Sequence, residues 1–371
     1  MNQQPIYFPG LNGLRSISAM AVVISHITLS LKELGLDPFI FGSFDDGSPR
    51  GLLLAGYGVS IFFVISGFLI TYLLLVEKEI QPINIKKFYV RRALRIWPLY
   101  YLYFGVAIFI LIAFCFTIKI KTLFLYFFFA ANVPFIMGCT TPFLAHYWSI
   151  AVEEQFYLFW PWIIKKSKYL ISLIIILLFI LVGIKITAHF FHPGSLLETT
   201  IHITRFHCML IGALGCILYR QNNKIFLLII DNKVTQIISW LILFMVVINK
   251  YHFISLIDNE IISVISLFLI IGQIKQRNRI VNLELGIFNF LGKISYGIYV
   301  IHPILIFLIS KIINILVVTT VYKYIFIYIL VTAFTLLLAY ISYEFFEKKF
   351  LKMKIRYTIV KSNATPDNEI H

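Results

Sequence analysis

The sequence predicts an all-α, polytopic membrane helix bundle of about ten transmembrane helices with both termini cytoplasmic. Three observations predict it. Of 371 residues, 60% are hydrophobic and only 13% charged, with a mean hydropathy of +0.89, whereas soluble domains carry about a quarter charged residues. A soluble fold of this length could not hide so much apolar side chain, and a lipid solvent removes that problem. Apolar runs of bilayer-crossing length, about 20 residues each, recur along the chain, and Lys and Arg collect in alternate segments between them.

The runs fall at about 14–31, 52–75, 98–117, 147–164, 169–187, 204–219, 235–249, 260–274, 290–310 and 324–343. With the N-terminus inside, 22 Lys and Arg lie in inner segments and 7 in outer ones, while Arg15, Lys185 and Arg205 lie at or within spans. That bias sets the orientation. Residues 123–137 are also apolar, but a span there would invert everything after it. The stretch 118–146 is therefore expected to be an outer-side excursion or a re-entrant segment packed against protein.

The net charge is +15. Its short basic clusters between apolar runs indicate membrane topology rather than nucleic-acid binding. Cys115, Cys139, Cys208 and Cys216 form no CxxC pair, so neither a zinc nor a redox motif is expected. Cys115, Cys208 and Cys216 are read as small core residues. His189, His192, His202 and His207 recur close together but match no standard ligand spacing, so no metal is expected. The first 14 residues lack Lys and Arg and no A-x-A site follows, so the first span is expected to stay as an uncleaved anchor. One membrane domain, 1–356, is expected to precede a short, polar, disordered tail, 357–371. No internal repeat of the transporter kind is apparent.

Ionisable groups inside spans are costly and are functional candidates by default. Arg15 and His26 are eleven residues apart, three helical turns, so they share a face about 16 Å apart along the axis. Arg15 lies near the inner surface and His26 deep. A neutral imidazole suits proton transfer near pH 7; the competing reading is a topology anchor and a satisfied core histidine. Arg91, Arg92 and Arg95 precede Pro98 at helical spacing and form one cationic face, suited either to a phosphate-bearing donor or to lipid head groups. Glu153 and Glu154 sit side by side in an aromatic segment. At least one of them is expected to face the interior, where it can orient an imidazole, balance an arginine or transfer a proton, or simply pair with Arg15 or Arg205 to hold the bundle together. Arg205 and His207 open the sixth span, with Gly212 and Gly215 allowing close helix packing. Tyr296 and His302 lie in the ninth span, and His302 beside Pro303 can satisfy backbone groups freed by the proline.

Six segments together resemble the acyltransferase 3 family of membrane acyltransferases. They are GLRSISAMAVVISH, GVSIFFVISGFLIT (58–71), FYVRRALRIWPLYY (88–101), HYWSIAVEEQFYLFWP (146–161), RFHCMLIGALG (205–215) and LGKISYGIYVIHP (291–303), in order over about 10–345. The resemblance implies ten spans with cytoplasmic termini, a multi-pass protein of the cell inner (plasma) membrane, an acyl-CoA donor and a sugar-containing acceptor. It places the essential Arg/His pair on Arg15 and His26 and the donor-binding motif on Arg91, Arg92 and Arg95. The acidic block falls on Glu153 and Glu154. Two departures stand out. Asn12 replaces an Asp that often precedes the first GLR, a change expected to alter a helix cap only mildly. His207 stands where an acidic residue is common, a change expected to shift local charge or acceptor specificity. Some relatives carry an extracellular hydrolase-like domain that finishes transfer; this chain is expected, without one, to deliver the acyl group itself or to a separate partner.

The expected reaction moves an acyl group, acetyl by default, from cytoplasmic acyl-CoA to a hydroxyl of an envelope glycan or lipid-linked saccharide. His26 serves as base or acyl carrier, Arg15, Glu153 and Glu154 assist, Arg91, Arg92 and Arg95 hold the donor, and Tyr296, His302 and Arg205 meet the acceptor. Lipid, donor and carbohydrate or glycolipid are the expected partners. The rival is a transporter or flippase of a lipid-linked glycan, which would use the same buried charges without releasing coenzyme A.

Overall fold

A computed structural model describes residues 6–360 except 41, 44–46, 48, 52 and 314–319. Among the described residues the regular secondary structure is helical, with an isolated bridge between Ser43 and Pro49. The first helices are α1 (Leu11–Leu29), α2 (Leu53–Ile80) and α3 (Ile85–Ala113). Two short helices follow, α4 (Ile120–Phe127) and α5 (Asn132–Ile136), then α6 (Tyr147–Lys166) and α7 (Leu170–Phe191). Next come α8 (Leu196–Thr204), α9 (Phe206–Arg220), α10 (Lys224–Ile230), α11 (Lys233–Val247) and α12 (Asp258–Lys275). The last are α13 (Gly286–Lys293), α14 (Ser295–Ile313), α15 (Thr320–Ser342) and α16 (Lys348–Ile355), with a π-helical turn, Tyr343–Glu347, joining α15 to α16.

Among the described residues six helices are long and apolar enough to cross a membrane, and a seventh if the bent pair α10–α11 counts as one. This is fewer than ten for a physical reason. Polar residues needed in the interior lower the hydropathy of α1, α6 and α12, and breaks shorten others. The apolar 123–137 stretch is no span: it forms parts of α4 and α5, tied to α3 by Tyr100 and Tyr101, whose hydroxyls donate to the Tyr126 and Phe127 carbonyls at 2.5 and 2.9 Å. The third helix starts earlier than its apolar run and continues through Pro98, so Arg91, Arg92 and Arg95 lie on the same helix as that run. Of the polar tail, 361–371 lies outside the described residues.

Side-chain contacts set the helix directions. Phe8 packs on Phe68 and Gly58 on the Ser18 carbonyl, so α1 and α2 run antiparallel. Arg205 reaches Gly56 and Arg220 reaches Glu79, so α2 and α9 run parallel. Here the two backbones nearly touch: a Cβ on Gly67 would meet the Met209 carbonyl, and one on Gly212 that of Val64. Small residues permit such approach between membrane helices. Gly292, at the end of α13 just before α14, packs on Asn12 and His302 of α14 on His26, so α1 and α14 run parallel. The main core joins α1, α2, α3, α6, α9, α12 and α14, and a second core joins α1, α14 and α15. By contrast α7 buries only Ile174, Lys185 and Ala188, as a helix facing lipid does.

Asn12 does not cap α1. The helix begins at Leu11 behind Gly10, which holds φ 73°, a conformation glycine adopts without steric cost. The Gly10 amide donates to Glu284. Asn12 lies in the first turn, where its amide donates to Asn289 Oδ1 at 3.2 Å, so the expected effect on a cap falls away and Asn12 instead ties α1 to α13.

Candidate active site

Two clusters occupy the interior of α1, one at each end. Near its C-terminal end His26 Nδ1 lies 2.7 Å from His302 Nε2. His302 Nδ1 lies 3.1 Å from the Ile298 carbonyl one turn earlier. A carbonyl only accepts, so His302 carries its proton on Nδ1 and presents a lone pair at Nε2. His26 Nδ1–H then donates to it, and the remaining lone pair of His26 is on Nε2. A third histidine closes the group: His146, at the head of α6, donates from Nε2 to the Val300 carbonyl at 3.2 Å and lies 5.5 Å from His302 between ring centroids. Tyr299 joins α14 to α6 by donating to the His146 carbonyl at 2.8 Å. His302 is 0% and His146 4% exposed, whereas His26 is only half-buried. Of the three rings, His26 keeps the most exposed surface. Among the described residues no His, Cys, Asp or Glu group is arranged to hold a metal.

The second cluster surrounds Arg15. Arg92, Arg95, Glu153 and Tyr157 are the charged or ionisable groups that act on it most strongly. Arg92 lies over the Tyr157 ring at 5.7 Å, and its Nε is buried with no partner among the described residues. Glu153 is held by the hydroxyls of Ser66 and Tyr157. Glu154 accepts from Trp97 Nε1 at 3.1 Å. Neither carboxylate touches His26, because both lie on the part of α6 level with Arg15; the reading in which one of them orients the imidazole gives way to His302. Tyr296 stands between the clusters on α14 and donates to the Ile96 carbonyl at 2.8 Å.

Arg91 differs from its neighbours. It pairs with Glu77 at 2.7 Å and donates to the Tyr357 carbonyl at 3.0 Å, while Glu77 also accepts from the Asn84 amide at 2.9 Å. Its guanidinium is thus occupied in tying the α2–α3 turn to the C-terminal segment.

Arg205 sits apart from both clusters. It forms the junction of α8 and α9 with φ 45° and donates to the carbonyls of Gly56 and His202, each at 2.9 Å. Its neighbour His207 lies 3.2 Å from Glu260 Oε1, which also takes Lys185 Nζ at 2.6 Å. A carboxylate thus lies beside position 207, Glu260 from α12, and Lys185 is turned inward from a lipid-facing helix to meet it.

Over residues 8–344 the chain matches the family described as an acyltransferase domain. The chain belongs to the acyltransferase 3 family. It is similar to the O-acetyltransferase OatA of Staphylococcus aureus (strain NCTC 8325), with 27% identity over 92% of this chain and 57% of that protein. It is 25% identical to a putative O-acetyltransferase of Staphylococcus aureus (strain MRSA252), over 97% of this chain and 60% of the relative. A Haemophilus influenzae protein described as uncharacterized is 32% identical over 50% of this chain and 84% of its own length. The chain therefore spans somewhat over half the length of the OatA relatives. No solved structure matches it.

The sequence blocks place Arg15, Arg92, Arg95, Glu153 and Glu154 among the candidates, and the fold gathers them at one level. They do not single out His146, though it opens one of the family-like segments. A histidine directly before an apolar helix carries no periodic signal of its own, and only its contact with Val300 reveals its place.

Proposed function

We propose that the protein transfers an acetyl group from acetyl-CoA to a sugar hydroxyl of an envelope glycan or lipid-linked saccharide. The observation that carries this reading is the half-buried His26, pinned in one tautomer by His302 and three helical turns from a cluster of arginines. Acetyl is chosen because relatives are named O-acetyltransferases. In this reading the chain crosses the inner membrane ten times with both termini cytoplasmic, so that the arginines face the cytoplasm and His26 lies toward the outer side.

The donor phosphates rest on Arg15, Arg92 and Arg95, while Arg91 holds the α2–α3 turn and the C-terminal segment in place beside them. The pantetheine arm runs along α1 past Tyr296, bridging the roughly 16 Å between Arg15 and His26. His26 Nε2 takes the proton from the sugar hydroxyl as its oxygen attacks the thioester carbonyl. A C–O bond forms, the C–S bond breaks, and the imidazolium returns the proton to the departing thiolate, releasing coenzyme A. A positioned base of this kind contributes about 10²–10⁴-fold. Glu153 offsets the charge of the arginine cluster. The Arg205–His207–Glu260 group lies at the outer ends of its helices, where an acceptor would enter.

The test is thiol release by protein in lipid given acetyl-CoA with and without a glycan acceptor. Acceptor-dependent release supports transfer. A flippase of lipid-linked glycan would move its substrate and release no coenzyme A.

A further inference from the structure

The C-terminal helix and its cap carry a run of basic residues, and one differs from the rest. Lys349, Lys352 and Arg356 are exposed, and Lys348 pairs with Glu344 at 2.8 Å. Lys354 is turned inward and half-buried. It lines a cavity with Glu77, Phe88, Arg91, Arg92 and Thr358. Among the described residues its ammonium has no hydrogen bond or ion pair. The charges that act on it most strongly are Arg95, Arg92, Arg91 and Arg15, all positive. The carboxylate in that cavity, Glu77, is already taken by Arg91 and the Asn84 amide.

A partly buried ammonium set among guanidinium groups is unfavourable by itself, since like charges repel and desolvation adds to the cost. The π-helical turn Tyr343–Glu347 interrupts the register between α15 and α16, and such turns are frequent at functional sites. Beyond α16, the Arg91 bond to the Tyr357 carbonyl fixes the segment against α3. An anion in the cavity would turn the repulsion into attraction, and lysine is a common phosphate ligand.

We infer that Lys354 is a ligand for a phosphate of the acyl-CoA donor, and that α16, clamped by Arg91, is a structural part of the donor site. The inference rests on the donor reading given above. Coenzyme A carries a diphosphate and a 3′-phosphate, and the cluster of Arg15, Arg92, Arg95 and Lys354 offers charge for more than one of these groups. Lys354 is thereby more than one of the many basic residues that orient the chain.

Equilibrium binding of coenzyme A to the full chain in lipid nanodiscs tests this, comparing wild type with Lys354→Gln, Arg92→Gln and Arg356→Gln and following thermal unfolding of each. The expected result is a loss of about tenfold in affinity for Lys354→Gln, as for one lost charge-assisted contact. Its dependence on salt should be shallower than in wild type, and pantetheine, which lacks the nucleotide phosphates, should bind both proteins alike. Arg356→Gln should bind as wild type does. Unchanged coenzyme A affinity in a folded Lys354→Gln, beside a clear loss in Arg92→Gln, would overturn the role of Lys354 while leaving the donor site standing. No binding of coenzyme A by wild type would remove the donor reading and this inference together.

Discussion

His26 and His302 stand 276 positions apart and share a contact of 2.7 Å. The Ile298 carbonyl sets the proton on one ring, that ring sets it on the other, and the free lone pair of His26 follows.

Replacing His302 with Leu removes the acceptor that pins His26. Turnover should fall by about 10²–10⁴-fold, the range seen when a catalytic histidine loses its orienting partner or its function as base, with little change in donor KM. Gln at 302 offers both an acceptor and a donor and should restore part of the rate. Steady-state kinetics of the two variants checks this, and wild-type turnover in His302→Leu would contradict it.

Arg91 and Arg92 are neighbours with different duties. Arg91 and Glu77 are 12% and 2% exposed along their side chains, and breaking a buried pair costs about 3–5 kcal/mol. Arg91→Gln should therefore lower thermal stability markedly. Arg92→Gln, which breaks no ion pair among the described residues, should leave stability near wild type and raise the donor KM. Thermal unfolding and donor titration on both variants separate the two.

Glu153 offsets positive charge around Arg15. Glu153→Gln keeps acceptor groups for Ser66 and Tyr157 but leaves the arginines unbalanced, so the melting temperature should fall by several degrees. Saturating coenzyme A, which supplies negative charge, should narrow the difference. A thermal-shift assay with and without coenzyme A reads both effects.

The α2–α9 contact has no room for a side chain. Gly67→Val drives a side chain into the Met209 backbone, and overpacking costs typically about 1–3 kcal/mol, more against main chain. Gly183 lies on lipid-facing α7, where an added Cβ would meet nothing within 4 Å, so it should accept Ala at little cost. Folded yield in membranes distinguishes them.

Much of this was legible because membrane burial makes charges conspicuous. Arg15, His26, Arg92 and Glu153 stand out in apolar sequence, and the spacing of the first two places them on one helix. What was hidden depends on tertiary register. The pairing of His26 with His302 needs α1 and α14 to run side by side in the same direction. The approach of Glu260 to His207 needs α12 beside α9. Glu153 looked able to reach His26 because both lie within apolar segments, yet their helices place them at different depths. The start of α3 is misplaced from sequence because Pro98 reads as a boundary in water, whereas membrane helices tolerate proline within a span. Lys354 was hidden among the many cations that set topology, and only the cavity it lines with Glu77, Arg91 and Arg92 sets it apart.

The central claim is acyl transfer by His26, and the most direct measurement is coenzyme A release by purified protein in lipid, supplied with acetyl-CoA and an envelope-glycan acceptor, beside folded His26→Ala. The account predicts release that requires the acceptor and is lost in His26→Ala. Release at the wild-type rate in His26→Ala, or none from folded wild-type protein across several acyl-CoA donors and glycan acceptors, would contradict it.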